Sequence, residues 1–236
     1  MIPKKIHYCW FGGKELPELA KKCIASWKKY CPDYEIIRWD ESNFDIESCQ
    51  YVKEAYQSKK FAFVTDYVRL HVMYTHGGIY MDTDVELTKN LDVFLMHRGF
   101  SGFESKVYIP TGIMASEKNF PLFADLLTYY SDRPFILNDG TLDTTTNVLI
   151  ITKLLTERGF VPNGEFQIVD GFALYPQDVF CPYDNATGVL HKTANTAAIH
   201  WFNKSWVSPA TRLRSKITRP LRRVFGKDCF RWLKRK

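Results

Sequence analysis

The sequence predicts an α/β layered domain built on a mainly parallel sheet, and three observations predict it. Strand-like runs alternate along the chain with segments of helical periodicity, the pattern that lays helices on the faces of a sheet. At 236 residues the chain can bury one substantial core, so a single domain is the default. Paired glycines fall where such a fold needs reversals, at Gly12-Gly13 and at Gly77-Gly78. In sheets of this kind ligands bind beyond the carboxyl ends of strands, where Gly12 and Asp82 would both emerge.

Taken in order, Ile6 to Phe11 reads as the first strand, running into Gly12-Gly13. A helix follows from about Pro17, a good first-turn residue, with Leu19, Cys23, Trp27 and Tyr30 as its apolar stripe. Tyr34 to Trp39 is a second strand, and Ser42 to Lys60 a loop with a short helix. Phe100–Phe103 and Ile109–Ala115 are further strands, the latter interrupted by Pro110 and Gly112. Pro121 to Tyr130 and Val148 to Arg158 are helices; one of Thr144, Thr145, Thr146 and Asn147 is expected to cap the second. Phe166–Val169 and Ala197–Phe202 are late strands.

The centre of the chain, Phe61 to Val85, carries the chemistry. Phe61, Phe63, Val64, Tyr67, Val68, Leu70, Val72, Met73 and Tyr74 make a helix apolar on almost every side, hence a buried one. Its polar exceptions Thr65, Asp66 and Arg69 share a face. After Gly77-Gly78, the β-forming run Ile79-Tyr80-Met81 begins a strand. On a continued strand Asp82 and Asp84 would project together, with Thr83 and Val85 toward the core. Two carboxylates held that close repel unless one protonates or a cation lies between them. Hard cations such as Mg2+ take oxygen ligands, and Mn2+ suits the same shell. The EF-hand register fails, because Leu87 and Val93 stand where its glycine and glutamate belong.

Phe61-Ala62, Asp66 and Arg69, followed by Gly77-Gly78, Tyr80, Asp82, Asp84 and Val85, resemble the core of glycosyltransferase family 32, the sugar transferases with a DXD motif. Flanking pieces near Trp10 and His200 extend the resemblance over most of residues 1–206. It implies a GT-A-type nucleotide-sugar-binding fold, a nucleotide-sugar donor, Mn2+ or Mg2+, and anomeric retention. The same resemblance implies that Asp84 is the direct metal ligand and that Asp82 reaches the ribose, the sugar or the metal through water. Asp66 and Arg69 would contact donor sugar and phosphate; as residues in an apolar helix they are equally a buried ion pair. Trp10 matches the family's base-stacking aromatic, and a core tryptophan is the other reading of it. Thr65 and Tyr80 join the donor-binding set.

His200-Trp201-Phe202-Asn203-Lys204-Ser205-Trp206 resembles the family's closing loop. There His200 would complete the metal shell, and Ser205 and Trp206 would donate to phosphate oxygens. Lys204 stands where relatives usually have a small residue. Asn138, Asp139, Thr145 and Asn147 fall where the family lines its acceptor cleft.

Six scattered cysteines without a C-x-x-C pair, and an N-terminus without a signal-peptide apolar region, lead to the expectation of a reducing, cytoplasmic setting. Charge is uneven. Residues 212–236 hold eleven basic side chains against the single Asp228, while the whole chain carries +6, so the body is mildly acidic. The division expected is therefore a catalytic domain at 1–211 and a basic tail at 212–236. Leu213, Ile217, Leu221, Val224, Phe225, Phe230, Trp232 and Leu233 interleave with the tail's arginines. That mixture suits docking on an anionic membrane better than on nucleic acid, with Pro220 and Gly226 breaking it into short helices. The expected activity is transfer of a hexose, from a UDP-sugar, to a surface glycan or lipid-linked oligosaccharide at the inner face of the membrane of a bacterium. A metal-dependent nucleotidyl or phosphoryl transferase, and a nucleic-acid-binding protein acting through the tail, are the rival readings.

Overall fold

The computed structural model describes residues 1–203, 209–226 and 229. The chain runs β1 (Lys5–Cys9), α1 (Glu18–Tyr30), β2 (Glu35–Trp39), α2 (Gln50–Gln57), α3 (Phe61–His76), β3 (Gly78–Met81) and β4 (Val85–Leu87). There follow β5 (Gly99–Gly102), β6 (Ile113–Ser116), α4 (Pro121–Thr128), α5 (Asn147–Glu157), β7 (Gln167–Val169) and β8 (Phe172–Tyr175). The last elements are α6 (Gln177–Phe180), β9 (Tyr183–Asp184), β10 (Val189–Leu190), β11 (Ala198–His200) and α7 (Pro209–Phe225).

Seven strands form the central sheet in the order β2-β1-β3-β6-β5-β8-β7. Only β6 and β7 run against the other five, so the sheet is mainly parallel, as the alternation of elements predicts. β1 pairs in parallel with both β2 and β3, which brings the ends of β1 and β3 to one rim. Alternate side chains along each strand enter two cores. Ile79, Met81, Ile113 and Ala115 pack with Trp27 and Phe180 on one face. Tyr80 and Met114 pack with Val68, Met73 and Phe123 on the other.

α3 is the buried helix its composition predicts: Phe63, Val64, Val68, Leu70, Val72 and Met73 are all buried. Each such side chain contributes about 1.5–3 kcal/mol, which offsets the cost of also burying Asp66 and Arg69. Its end depends on the glycine pair. Gly77 has φ +65 and Gly78 φ +101, and a Cβ on Gly78 would lie 2.8 Å from the Lys5 carbonyl of β1. Only glycine allows that turn and that approach together.

Four details differ from the sequence expectation. Asp82 and Asp84 do not alternate on a strand; they flank a tight turn between β3 and β4, closed by the Val85 N–H donating to the Asp82 carbonyl at 3.0 Å. Thr83 is accordingly half-buried rather than in the core. Thr146 occupies the cap position of α5, but its side chain makes no capping hydrogen bond. An additional strand, β8, lies inside the sheet between β5 and β7; its run Phe172–Tyr175 is short and apolar throughout, without a period to mark it. Finally, α7 continues past Pro220 and ends before Gly226, which has φ +85. Proline removes one helical hydrogen bond; here Arg219 and Arg223, on either side of it, bond Asn185, Thr187 and Gly188 of the β9–β10 hairpin and offset that loss. Among the described residues no helix is long and apolar enough to cross a membrane.

Candidate active site

The site is assembled at the rim where β1 and β3 end. Arg69 projects from α3 as a fork. One Nη donates to the Thr111 carbonyl at 2.6 Å and lies 3.3 Å from Asp82 Oδ1; the other lies 3.2 Å from Asp66 Oδ1. Its Nε donates to the Thr65 carbonyl at 3.3 Å, so Thr65 contributes its backbone here. The guanidinium also sits 4.7 Å from the Tyr80 ring centre, and the Tyr80 hydroxyl donates to Asp82 Oδ1 at 2.8 Å. Burial works against the charge on Arg69, but Asp82, Tyr80 and Asp66 outweigh it and keep it protonated. Burial also pushes the Asp66 carboxyl up to about 6, against the pull of Arg69. The buried Tyr80 hydroxyl is raised well above its ordinary value, so it stays a donor. Asp66 and Arg69 are therefore the buried pair that the apolar helix demanded, with Asp82 as a third member.

On the other side of the turn, Asp84 faces β11. Antiparallel pairing places His200 opposite Val85, and His200 Nε2 lies 3.3 Å from Asp84 Oδ1. Asp84 Oδ2 accepts the Asn203 N–H at 2.7 Å, and the Asp84 carbonyl accepts the Trp201 N–H at 3.0 Å. Burial alone would raise Asp84; the facing imidazole overcomes it and holds the carboxyl below its usual range. Burial likewise opposes a charge on His200, and the Asp84 carboxylate reverses that and raises it well above its ordinary value.

Asp82, Asp84 and His200 each offer one ligand atom, all within 4.8 Å of one another. Two carboxylates and an imidazole are a donor set for Mn2+ or Mg2+. His200 Nδ1 is buried; Asp84 engages Nε2, and the Cys181 thiol lies within reach of the ring. Phe202 stacks on it at 4.0 Å between centres. Beneath it is Gly112, where a Cβ would come 2.6 Å from His200 Cε1. The Gly112 carbonyl also accepts the Asp82 N–H at 2.8 Å. Thr111 and Gly112 thus brace the guanidinium, the Asp82 backbone and the imidazole at once. In the sequence they showed only as a break in a strand, and backbone carbonyls leave no residue-type signal.

Trp10 follows β1 and is half-buried against the core face that holds Trp27. Its indole N–H donates to the Lys14 carbonyl at 2.6 Å. The segment after it is anchored by Glu41 Oε1, which accepts the Gly12 N–H at 2.6 Å and the Tyr56 hydroxyl at 3.0 Å. Of the residues assigned to an acceptor cleft, Asn138 and Asp139 are exposed, and Asp139 accepts from Thr141. The Thr145 N–H donates to Asp143 at 3.1 Å. Asn147 is buried, its amide spent on the Tyr130 hydroxyl and the Asp66 carbonyl, so it ties α5 to α3. Lys204, Ser205 and Trp206 lie outside the described residues.

Residues 17–101, which contain α3, the glycine pair and both aspartates of the turn, match the family described as the glycosyltransferase sugar-binding region containing the DXD motif. An uncharacterized glycosyltransferase of Acanthamoeba polyphaga mimivirus is 26% identical over 203 residues, covering 78% of each chain. Inositol phosphoceramide mannosyltransferase 3 of Schizosaccharomyces pombe is 31% identical over 134 residues, covering 53% of this chain and 36% of its own. The chain thus spans about a third of that fungal relative's length. Among solved structures, the PaToxG glycosyltransferase superposes with a TM-score of 0.49 at 21% identity, covering 66% of this chain and 69% of the other.

Proposed function

We infer that the chain is a glycosyltransferase, a reading that its match to the DXD sugar-binding region and its mimiviral relative support, and that it moves a hexose from a nucleotide sugar to a glycan acceptor with the help of a divalent cation. The observation that carries this reading is the convergence of Asp82, Asp84 and His200 within 4.8 Å at the end of β3. Bound there, Mn2+ or Mg2+ would neutralise the charge that develops on a departing diphosphate. The chain's own residues supply the rest. Asp84 and His200 would hold the cation, with Asp82 as direct or water-mediated partner. Arg69, fixed by four acceptors, presents a permanent positive charge toward sugar and phosphate, and Asp66 is one of those that keep it in place. The Trp10 ring offers a stacking face for the base. Lys204, Ser205 and Trp206 complete the phosphate contacts on the strength of the family resemblance. Anomeric retention, and acceptor contacts from Asn138, Asp139 and Thr145, follow from the same resemblance.

A UDP-hexose is the donor we assign. The mannosyltransferase name of the fungal relative favours a mannosyl donor as second reading. The test is hydrolysis of a panel of UDP-hexoses and GDP-mannose with Mn2+ by the wild type and Asp84→Asn. One donor turned over by the wild type alone is the expected result; equal turnover by the variant would remove Asp84 from the mechanism.

We place the acceptor, a glycan or lipid-linked glycan, at the cytoplasmic face of a membrane, with residues 1–211 as the catalytic domain and 212–236 as the attachment. Support comes from α7, where Ile217, Leu221, Val224 and Phe225 are exposed along one stripe beside Arg214. Co-sedimentation with phosphatidylserine vesicles, and its loss in Ile217→Asp/Val224→Asp, tests that placement.

A further inference from the structure

A groove of about 460 Å3 opens on the face of the β4–β11 pair that is turned away from His200. Paired residues of antiparallel strands share a face. Val85 and His200 therefore point toward the catalytic turn, while Glu86 and Ile199 point into the groove. Its floor is Ile199, Leu190 and the Trp201 indole, and its rim carries Lys22, Lys29 and Lys192. The single acid, Glu86, is already engaged: Lys22 lies 3.0 Å from it and the Trp201 indole N–H donates to it at 2.9 Å. Lys29 and Lys192 are exposed and have no carboxylate partner among the described residues. A surplus of cations thus surrounds an aromatic and aliphatic floor on an otherwise acidic body.

Apolar floor and cationic rim recognise different parts of one ligand. The flat C–H face of a sugar ring lies against indole and aliphatic surface, and the ammonium groups take charges carried at the ring's edge. The volume falls in the range of small-ligand sites. We propose that this groove binds an anionic oligosaccharide, one bearing carboxylate or phosphate groups on its rings. The groove adjoins the catalytic turn at Trp201, whose backbone N–H donates to the Asp84 carbonyl at 3.0 Å. Binding here needs neither nucleotide sugar nor cation, so its failure and the failure of the donor reading are separate results.

The test is calorimetric titration of the full chain, without metal or nucleotide, at two salt concentrations. The probes are trigalacturonate, a phosphorylated mannotriose, neutral maltotriose, inorganic phosphate and a short DNA duplex. Saturable binding of one charged trisaccharide is expected, and which one binds separates carboxylate from phosphate recognition. The double variant Lys29→Ala/Lys192→Ala, at two exposed positions, should bind about tenfold more weakly, and the corresponding arginine pair should restore affinity. Maltotriose should be at least about tenfold weaker than the charged trisaccharide. The proposal is overturned if neither charged trisaccharide saturates, if the alanine pair binds like the wild type, or if phosphate or DNA binds as tightly as the sugar.

Discussion

Gly112→Ala is the sharpest probe of how the proposed metal ligands are held. A Cβ at this position lies 2.6 Å from His200 Cε1, 2.8 Å from Nδ1 and 3.1 Å from Nε2. Carbon atoms in comfortable contact sit about 3.5–4 Å apart, so the ring must retreat by about 1 Å. Phe202 stacked on the ring at 4.0 Å limits the retreat. Gly112 has no positive φ, so alanine adds contact and not backbone strain. Displacing one ligand while Asp82 and Asp84 keep their places should weaken Mn2+ binding about 10–100-fold, the range found when ligand-supporting groups are altered. Calorimetric Mn2+ titration reads this directly, alongside the Mn2+ concentration that half-saturates donor hydrolysis. Saturating Mn2+ should recover much of the rate, and Gly112→Ala/His200→Ala should be no worse than His200→Ala alone. If Gly112→Ala binds Mn2+ like the wild type while His200→Ala does not, packing against residue 112 does not position the imidazole.

Two further outcomes follow from the buried polar groups. Arg69→Met leaves Asp66 and Asp82 without their cation and the Thr111 carbonyl without its donor. That should cost about 3–5 kcal/mol in urea unfolding and abolish donor hydrolysis; a loss below about 1 kcal/mol would mean that water replaces the guanidinium. His7 accepts the Trp39 indole N–H at Nδ1 (3.1 Å) and meets the Gly77 carbonyl at Nε2 (3.0 Å), which only the neutral ring satisfies. Burial lowers it to about 4 from 6.5. The native state thus binds fewer protons than the unfolded one between those values. Stability present above pH 6.5 is lost as pH falls toward 4, by about 3 kcal/mol. Urea titrations at pH 7 and 4.5 should show that part of the slope flattened in His7→Gln, and an unchanged slope would exclude His7 as its source.

What was legible in the sequence is what local composition encodes. The mostly apolar composition of α3 marks a buried helix, and the glycine pair follows it because Gly78 touches the backbone of β1. Asp82, Asp84 and His200 could be named from the spacing of the family motif, and they do meet. Their local geometry could not: a turn and a strand both bring residues two apart together, and sequence does not separate them. Contacts made by carbonyls were invisible too, since Thr111 and Gly112 act through atoms that every residue has. Asn147 stands where the resembled family lines its acceptor cleft, and here its amide is buried between Tyr130 and Asp66. The reading of Lys204, Ser205 and Trp206 falls on residues outside those described.

The pairing of β11 with β4 has a bearing on biogenesis. Both aspartates leave the ribosome early, but the backbone contact from Asn203 to Asp84 spans 119 positions, and closing so long a loop is slow compared with local helix formation. A nascent chain that has made only its first half holds two acids with no imidazole beside them. The proposed cation site is therefore completed only when the last strand of the domain pairs with β4.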